Sequence, residues 1–235
     1  MTKSKNYRES LTKIDRTKLY DPSEAIELLK QSAKAKFDET VEVSYRLGID
    51  PKKTDQNVRG TIVLPHGTGK EVRIIAFAKG DKAKEAQDAG ANEAGADDLI
   101  NKIKGGWMDF DIAVASPDMM ADIGKNLGRI LGPKMPNPKA GTVTPDIARA
   151  VKELKAGKIQ YRNDKQGIIN NIVGKASFEN QKLLENLLTL TDAILRAKPA
   201  SAKGIFLRSV VVSSTMSPGI KLDPQVLTAQ AQGKK

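Results

Sequence analysis

The chain has 235 residues and a net charge of +11, from 39 Lys+Arg against 28 Asp+Glu. This length can bury one large core or two ordinary ones, and the excess charge favours a polyanionic partner, either nucleic acid or an anionic membrane. The lack of cysteine excludes disulfides, thiolate metal sites and a cysteine nucleophile, and the single histidine, His66, excludes a two-histidine metal site. No apolar run approaches a membrane span and the start lacks a secretory signal pattern, so we expect a cytoplasmic protein without a membrane partner.

The positive charge is unevenly distributed. Residues 1–66 carry 13 basic and 10 acidic side chains, residues 67–157 carry 14 and 13, and residues 158–235 carry 12 and 5. If the outer segments form one discontinuous domain, that domain holds nearly all of the net charge and the middle is a neutral insertion. We therefore predict two domains, 1–66 plus 158–235 and 67–157, and assign polyanion binding to the first.

The first predicted elements are a helix and a half-buried strand. Asp21 can cap a helix that begins at Pro22, and we expect this helix to run to about Lys36. From Thr40 to Leu47 apolar and polar residues alternate strictly, which predicts a strand with one buried face. The polar face of this strand consists of Thr40, Glu42, Ser44 and Arg46.

The middle segment alternates short apolar strands with helical stretches. We predict strands at 72–78 and 111–115 and helices near 81–89, 97–104, 117–131 and 145–156. This βα alternation predicts a Rossmann-like, three-layer α/β domain around a small parallel sheet.

The last segment predicts further antiparallel sheet. Residues 158–162 and 168–173 flank a turn-rich stretch at 163–167 and predict a hairpin. An amphipathic helix over 178–197 ends before Pro199, and strands at about 205–214 and 220–222 follow. With the first helix and strand these elements predict a two-layer α+β domain, and we expect the tail from Gln230 to be disordered.

The chain contains no complete catalytic motif. Gly67-Thr68-Gly69-Lys70 matches a phosphate loop only in part, because Glu71 and a strand follow the lysine where the motif requires Ser or Thr and a helix. The dinucleotide fingerprint is absent, and the aspartate pairs suit helix starts. We therefore expect no enzyme activity, cofactor or metal, and the alternative is a nucleotide-binding enzyme that uses the inserted domain.

A basic stretch in the middle segment is a second candidate surface for nucleic acid. Glycine recurs at 124, 128 and 132, and no acidic residue occurs between Gly124 and Thr144. A glycine-lined helix face would let a nucleic-acid backbone approach closely, whereas close helix packing beside a solvated loop explains the composition equally well. The candidate contacts are Lys125, Arg129, Lys134 and Lys139.

The composition also discriminates between kinds of nucleic acid. Aromatic residues make up only 4% of the chain, which disfavours a platform for stacking single-stranded bases. Nonspecific DNA binding fits the charge but neither the polar strand face nor the neutral insertion. Folded RNA, recognised by its shape, phosphates and 2′-hydroxyls, fits better.

Eight short strings, in order along nearly the whole chain, carry a resemblance to a known family. They begin at Phe37 (FDETVE), Asp55 (DQNVRGT), Leu64 (LPHG), Gly106 (GWMDFD), Leu131 (LGP, followed by PNPK), Arg162 (RNDK), Val173 (VGKASF) and Thr215 (TM). Together they closely resemble the bacterial ribosomal protein L1 family, the proteins of the mobile stalk of the large subunit.

The resemblance implies a split first domain that binds large-subunit ribosomal RNA and a Rossmann-like inserted domain. It also implies contact with exit-site tRNA, repression of the operon's own mRNA, and a monomer within the ribosome. The hinge between the domains would lie at Gly67, Gly69 and Gly157.

The resemblance also implies a set of RNA-binding residues, carried over by matching position. They are Lys36, Phe37, Thr40, Glu42, Ser44, Arg162, Asn163, Asp164, Lys165, Ser209, Thr215, Met216 and Ser217. Ser217 stands where the family usually has glycine, and the loop at 132–139 is two residues shorter than usual.

Overall fold

The structure is a computed structural model that describes residues 5–233. The helices in this range are α1 (Lys5–Thr12), α2 (Pro22–Ser32), α3 (Asp81–Asp88), α4 (Asp97–Lys104), α5 (Met120–Leu131), α6 (Ile147–Lys155), α7 (Asn180–Arg196) and α8 (Pro224–Ala231). The strands are β1 (Thr40–Leu47), β2 (Arg59–Val63), β3 (Ile74–Phe77), β4 (Glu93–Gly95), β5 (Ile112–Ala115), β6 (Lys158–Arg162), β7 (Ile168–Lys175), β8 (Leu207–Ser214) and β9 (Ile220–Leu222).

The chain divides into two compact units. The first consists of Met1–Gly69 and Ile159–Lys235, and the second of Lys70–Lys158. These divisions fall three residues and one residue beyond the positions predicted from the charge distribution. Gly67 and Gly69 therefore belong to the first unit, and Gly157 belongs to the second.

A four-stranded antiparallel sheet in the order β7-β1-β8-β9 forms the centre of the first unit. In β1 the alternate residues Val41, Val43, Tyr45 and Leu47 are buried, as the sequence predicted. Helices α2 and α7 contact the sheet, and their apolar faces complete a single core with it. The hydroxyl of buried Tyr45 lies 2.8 Å from Thr191 Oγ1 on α7, which joins the two layers.

Helix α2 begins as predicted and ends earlier. The Asp21 carboxylate accepts a hydrogen bond from Ser23 N, and Pro22 occupies the first turn. The helix ends at Ser32 because Ala33 adopts an extended conformation, with φ −74° and ψ 101°. The prediction of a helix to about Lys36 is wrong, and Lys36 lies in a loop that leads into β1.

The predicted hairpin at 158–173 is also wrong. The turn is present, since Asp164 Oδ1 accepts hydrogen bonds from Gln166 N and Ile168 N, and Gly167 has a φ of 76° that favours glycine. However, β6 pairs with β2 in a separate two-stranded sheet, whereas β7 pairs with β1. Turn residues determine where the chain reverses, but the partner of each strand is fixed by contacts distant in sequence.

The second unit has the predicted three-layer α/β fold. Its three strands are parallel in the order β4-β3-β5. Helices α4 and α5 pack with Ile75, Phe77 and Ala113 on one face of this sheet. Helices α3 and α6 pack with Ile74, Ala76 and Val114 on the other.

Sequence reasoning missed four short elements, α1, β2, β4 and α8. In α8 the Asp223 side chain caps the helix by accepting from Gln225 N, and the helix continues to Ala231. The tail predicted to be disordered from Gln230 is thus partly helical, and residues 234–235 lie outside the described range. Within residues 5–233, no helix combines the length and the apolar character needed to cross a membrane.

Candidate nucleic-acid interface

The sheet of the first unit has a polar face opposite its buried one, and rows of paired residues cross it. Ser44 lies opposite Asn170 on β7 and Val211 on β8, and Val211 lies opposite Lys221 on β9. We call this surface the open face. It comprises Thr40, Glu42, Ser44, Arg46, Ile168, Asn170, Ile172, Ser209, Val211, Ser213 and Lys221.

At the Thr40 end of the open face, two loops meet, residues 33–39 before β1 and residues 215–219 after β8. We call this region the two-loop end. The backbone N–H of Thr40 donates to Thr215 Oγ1 at 3.0 Å, which extends the β1–β8 pairing into the loops. Phe37 and Met216 are 56% and 61% exposed there and line one cleft of about 130 Å³ with Tyr7, Ser10 and Ala35.

A buried carboxylate joins the two loops. Glu39 is 2% exposed, and its Oε1 accepts from Ala35 N at 2.9 Å. Its Oε2 accepts from Ser214 Oγ at 2.6 Å and from Met216 N at 3.0 Å. Burial alone would raise the pKa of Glu39, but these hydrogen bonds outweigh it and hold the pKa below its ordinary value. Sequence reasoning missed this residue, because an acid beside a strand start gives no sign that it is buried.

The hydroxyls of Thr215 and Ser217 are bonded within the protein. Thr215 Oγ1 also donates to Thr40 O at 3.4 Å, and Ser217 Oγ accepts from Ser214 N at 2.9 Å. These bonds shape the loop, although Thr215 itself is exposed and Ser217 is half-buried. The large apolar side chain of Met216 projects outward beside them.

The Arg162–Lys165 segment lies at the opposite end of the open face. Leu47 N donates to Gly167 O there, and seven residue steps of β1 separate Thr40 from Leu47, roughly 23 Å. We call this region the turn end. Arg162 and Lys165 are exposed in it. Ser209 pairs with Arg46 and so belongs to the turn end, at the other end of β8 from Thr215.

Two residues of the turn have a role inside the protein. Asn163 is 7% exposed, and its side-chain oxygen accepts from Val58 N at 2.7 Å. Its amide group is therefore oriented inward, and this geometry corrects the expectation of a direct RNA contact from that side chain. The Asp164 carboxylate is occupied by the backbone of the turn, as described above. Arg162 and Lys165 remain outward-facing cations at this end, together with Arg46 on β1.

The open face combines several kinds of polar and apolar group. Cations lie at Arg46 and Lys221 on the strands and at Lys36 in the adjoining loop, and within residues 5–233 no ion pair of these three is observed. Glu42 is an exposed carboxylate, which accepts hydrogen bonds and donates none. Such a surface can attract phosphates with its cations while selecting ribose hydroxyls or base amino groups with its acceptors.

Three of the four candidate cations of the second unit are exposed. Lys125 and Arg129 on α5 and Lys139 beyond it are exposed. A Cβ at Gly128 or Gly132 would meet no atom within 4 Å, so within the described structure these glycines do not serve close helix packing. Lys134 differs from the prediction, because its ammonium donates to Phe110 O at 2.5 Å and lies 4.8 Å from the centroid of the Phe110 ring. We therefore remove Lys134 from the candidate contacts.

The remaining motifs have structural roles. Lys70 bonds to Asp111 at 2.9 Å and precedes a strand, unlike the lysine of a phosphate loop. The hydrogen bond from Lys70 is the main reason that the pKa of Asp111 is lowered. His66 Nε2 lies 2.5 Å from Glu185 Oε2. Among the described residues no group of three His, Asp or Glu side chains could hold a metal ion.

Comparison with protein families matches most of the chain to a known family. The model described as the "Ribosomal protein L1p/L10e family" matches residues 29–218. The matched range includes the 33–39 loop, residues 215–218 of the other loop, the turn end, and the whole second unit.

Proposed function

Since the chain belongs to the ribosomal protein L1p/L10e family, whose members are rRNA-binding proteins of the large ribosomal subunit, we propose that its open face holds the rRNA. The observation that carries this proposal is the pair of exposed apolar side chains, Phe37 and Met216, fixed at the two-loop end beside Lys36. Large apolar side chains held outward on ordered loops mark a binding surface. The neighbouring cation indicates that the ligand is an anion.

The chemistry of the open face favours RNA over DNA. Glu42 repels phosphates, so it is compatible with a nucleic acid only where the ligand presents a hydrogen-bond donor. A ribose 2′-hydroxyl is such a donor and is absent from DNA. Ser44, whose hydroxyl bonds to Asn170 Oδ1 at 2.6 Å, lies two residues along the same strand and extends this polar strip.

We assign separate steps of recognition to the two ends of the open face. The turn end, with Arg162 and Lys165, contacts phosphates, and the two-loop end makes close contact with sugars and bases. The separation of roughly 23 Å between them spans several nucleotides of a folded RNA. This spacing favours an RNA whose shape presents both contacts at once.

Two finer roles are proposed from family membership. The second unit forms the mobile stalk and contacts exit-site tRNA through Lys125, Arg129 and Lys139, which are exposed beside the glycines of α5. The protein also represses translation of its own operon by binding an mRNA site that mimics the ribosomal one. Because both RNAs then use the open face, a fragment of the rRNA and the operon mRNA should compete for the protein.

The test combines sedimentation with a matched pair of variants. The tagged protein should remain with large subunits after a high-salt wash. Met216→Ala should weaken binding to the large-subunit RNA fragment by about fivefold or more, the effect of truncating a buried anchor of about 1 kcal/mol. Ile205→Ala, which truncates an equally apolar side chain with 77% exposure outside the open face, should bind as the wild type does. Equal affinities for the two variants, or loss of the protein in the wash, would contradict the proposal.

A further inference from the structure

Beneath the two-loop end lies a carboxylate that contacts no ligand in the proposed function. We propose that Glu39 is a positioning residue, which fixes the loop of Phe37 and the loop of Met216 relative to each other so that they meet RNA as one preorganised surface. The consequence for binding rests on the proposed function. The positioning itself is a property of the free protein and is measured without RNA.

The two oxygens of the Glu39 carboxylate bond to different loops. Oε1 accepts from the backbone of Ala35, two residues before Phe37, at 2.9 Å. Oε2 accepts from the backbone of Met216 at 3.0 Å, from a residue 177 positions away in the sequence. One rigid planar group therefore sets the separation of two backbone segments, and both Ala35 and Met216 line the cleft that contains Phe37.

The chemistry of the site requires a carboxylate. Each oxygen faces a backbone N–H donor, and Oε2 faces a hydroxyl as well. A glutamine at this position would direct its NH2 group towards one of these donors, and that loop would lose its hydrogen bond. Bonds to an ionised acceptor are also stronger than neutral ones, which compensates for burying the charge.

The position of Glu39 confines its effect to the loops. Its own backbone carbonyl accepts from Ala176 N at 2.8 Å, and Thr40 continues directly into the β1–β8 pairing, so strand pairing fixes its main chain. Its side chain reaches outward from this point to segments beyond the strand ends. A residue that served only core stability would instead be surrounded by apolar side chains of the sheet and helices.

The first measurement uses NMR of the free full-length protein. In Glu39→Gln, the amide protons of Ala35 and Met216 should move together to lower chemical shift and exchange faster with solvent, because a charge-assisted bond is lost. Amides within β1, such as that of Val43, should keep their exchange rates. Asp38→Asn is the matched control, since within residues 5–233 the Asp38 carboxylate bonds to Ser177 and neither of these amides is its partner.

The second measurement is affinity for the large-subunit RNA fragment as a function of salt. We expect Glu39→Gln to bind about tenfold more weakly, the factor for ordering one or two side chains on binding, with an unchanged salt slope because no phosphate contact is lost. Ser214→Ala retains the carboxylate and removes one of its donors. Ser214→Ala should therefore lose less RNA affinity than Glu39→Gln. It also tests the inference independently if Glu39→Gln folds poorly.

The possible outcomes distinguish the positioning role of Glu39 from the proposed rRNA-binding function. If the Ala35 and Met216 amides stay unchanged in Glu39→Gln, Glu39 is not a positioning residue. If they are released without any loss of affinity by the folded protein, the positioning does not serve RNA binding and that part of the inference is wrong. If exchange accelerates equally throughout β1, the role of Glu39 is general stability and the inference is again wrong. If the wild type itself does not prefer the cognate RNA over a scrambled one, the proposed function fails, while the amide shifts still report on the positioning.

Discussion

Substitutions of single residues at the two-loop end should change RNA affinity in different ways, according to the physical basis of each contact. Lys36 is an exposed cation in the loop before β1, so it acts on phosphates through charge. We predict that Lys36→Ala weakens cognate and scrambled RNA alike and lowers the slope of log affinity against log salt by about one contact. Lys182→Ala is the control, because it removes an equal charge from α7, on the helical side of the sheet. A salt slope that is the same in both variants would exclude a phosphate contact at Lys36.

Glu42 should contribute to specificity more than to affinity. As an exposed acceptor on the open face it attracts donors and repels misplaced phosphates. We predict that Glu42→Ala weakens the cognate RNA while strengthening a scrambled RNA, so that the ratio of the two affinities falls. Filter binding with both RNAs at one salt concentration measures this ratio. An increase in affinity for both RNAs would show that Glu42 is only an unfavourable charge.

The titration of Glu39 predicts how stability responds to acid. Its pKa in the folded protein lies below the ordinary value of 4.5, so the unfolded chain takes up the proton at higher pH. Its contribution to stability is therefore full above about pH 4.5 and is lost as the pH falls through the folded pKa. The difference in unfolding free energy between wild type and Glu39→Gln, measured by urea titration, should shrink as the pH falls below 4.5. A difference that stays constant over this range would contradict the lowered pKa.

At the scale of elements, one buried amide attaches α7 to two other segments. Asn186 accepts from His66 N and donates to Gly67 O and Val173 O. Asn186→Ala leaves these buried backbone groups without partners, and we predict a loss of roughly 1–3 kcal/mol of stability. Thermal unfolding against Asn180→Ala, an exposed position at the start of the same helix, provides the comparison. Equal melting temperatures for the two variants would mean that water replaces the lost bonds.

The elements that the sequence predicted best are those with a local pattern. Strict alternation from Thr40 to Leu47 determined both the strand and its polar face, and the βα rhythm of the middle segment determined the three-layer fold. The hairpin prediction failed because β6 and β7 are neighbours in sequence but belong to different sheets. The pairing of β6 with β2 depends on residues about 100 positions apart, and no local signal carries that information.

The same limit applies to the site. Family resemblance named Phe37 and Met216 among the RNA-binding residues, and the structure brings them together because β1, which follows Phe37, pairs with β8, which precedes Met216. The resemblance, which named Asn163, and the basic composition, which indicated Lys134, could not show that these side chains direct their polar groups inward. Burial is decided by the three-dimensional surroundings. Glu39 was missed for the same reason. Its two hydrogen-bonded loops come together only when β1 and β8 pair.

At the scale of the whole molecule, the two units differ in net charge, and each has a separate hydrophobic core. Residues of the first unit carry a net charge of +9 and those of the second +2. Each unit has its own hydrophobic core, so neither depends on the other for burial of its apolar residues. The glycines at 67 and 69 are held in the first unit, where Gly67 O is bonded to Asn186. Motion at the crossings stays a prediction, now centred on 69–70 and 158–159.

The most direct test of the account is to remove the second unit. In this variant a short flexible linker replaces residues 70–158, and circular dichroism confirms that the remaining unit is folded. Its affinity for the large-subunit RNA fragment, measured by titration at fixed salt, should lie within about threefold of the full chain, because the open face and both of its ends are retained. The isolated 70–158 segment should bind weakly and without preference for the cognate RNA. A folded first unit that has lost specific binding, or a 70–158 segment that retains it, would contradict the assignment of rRNA binding to the open face.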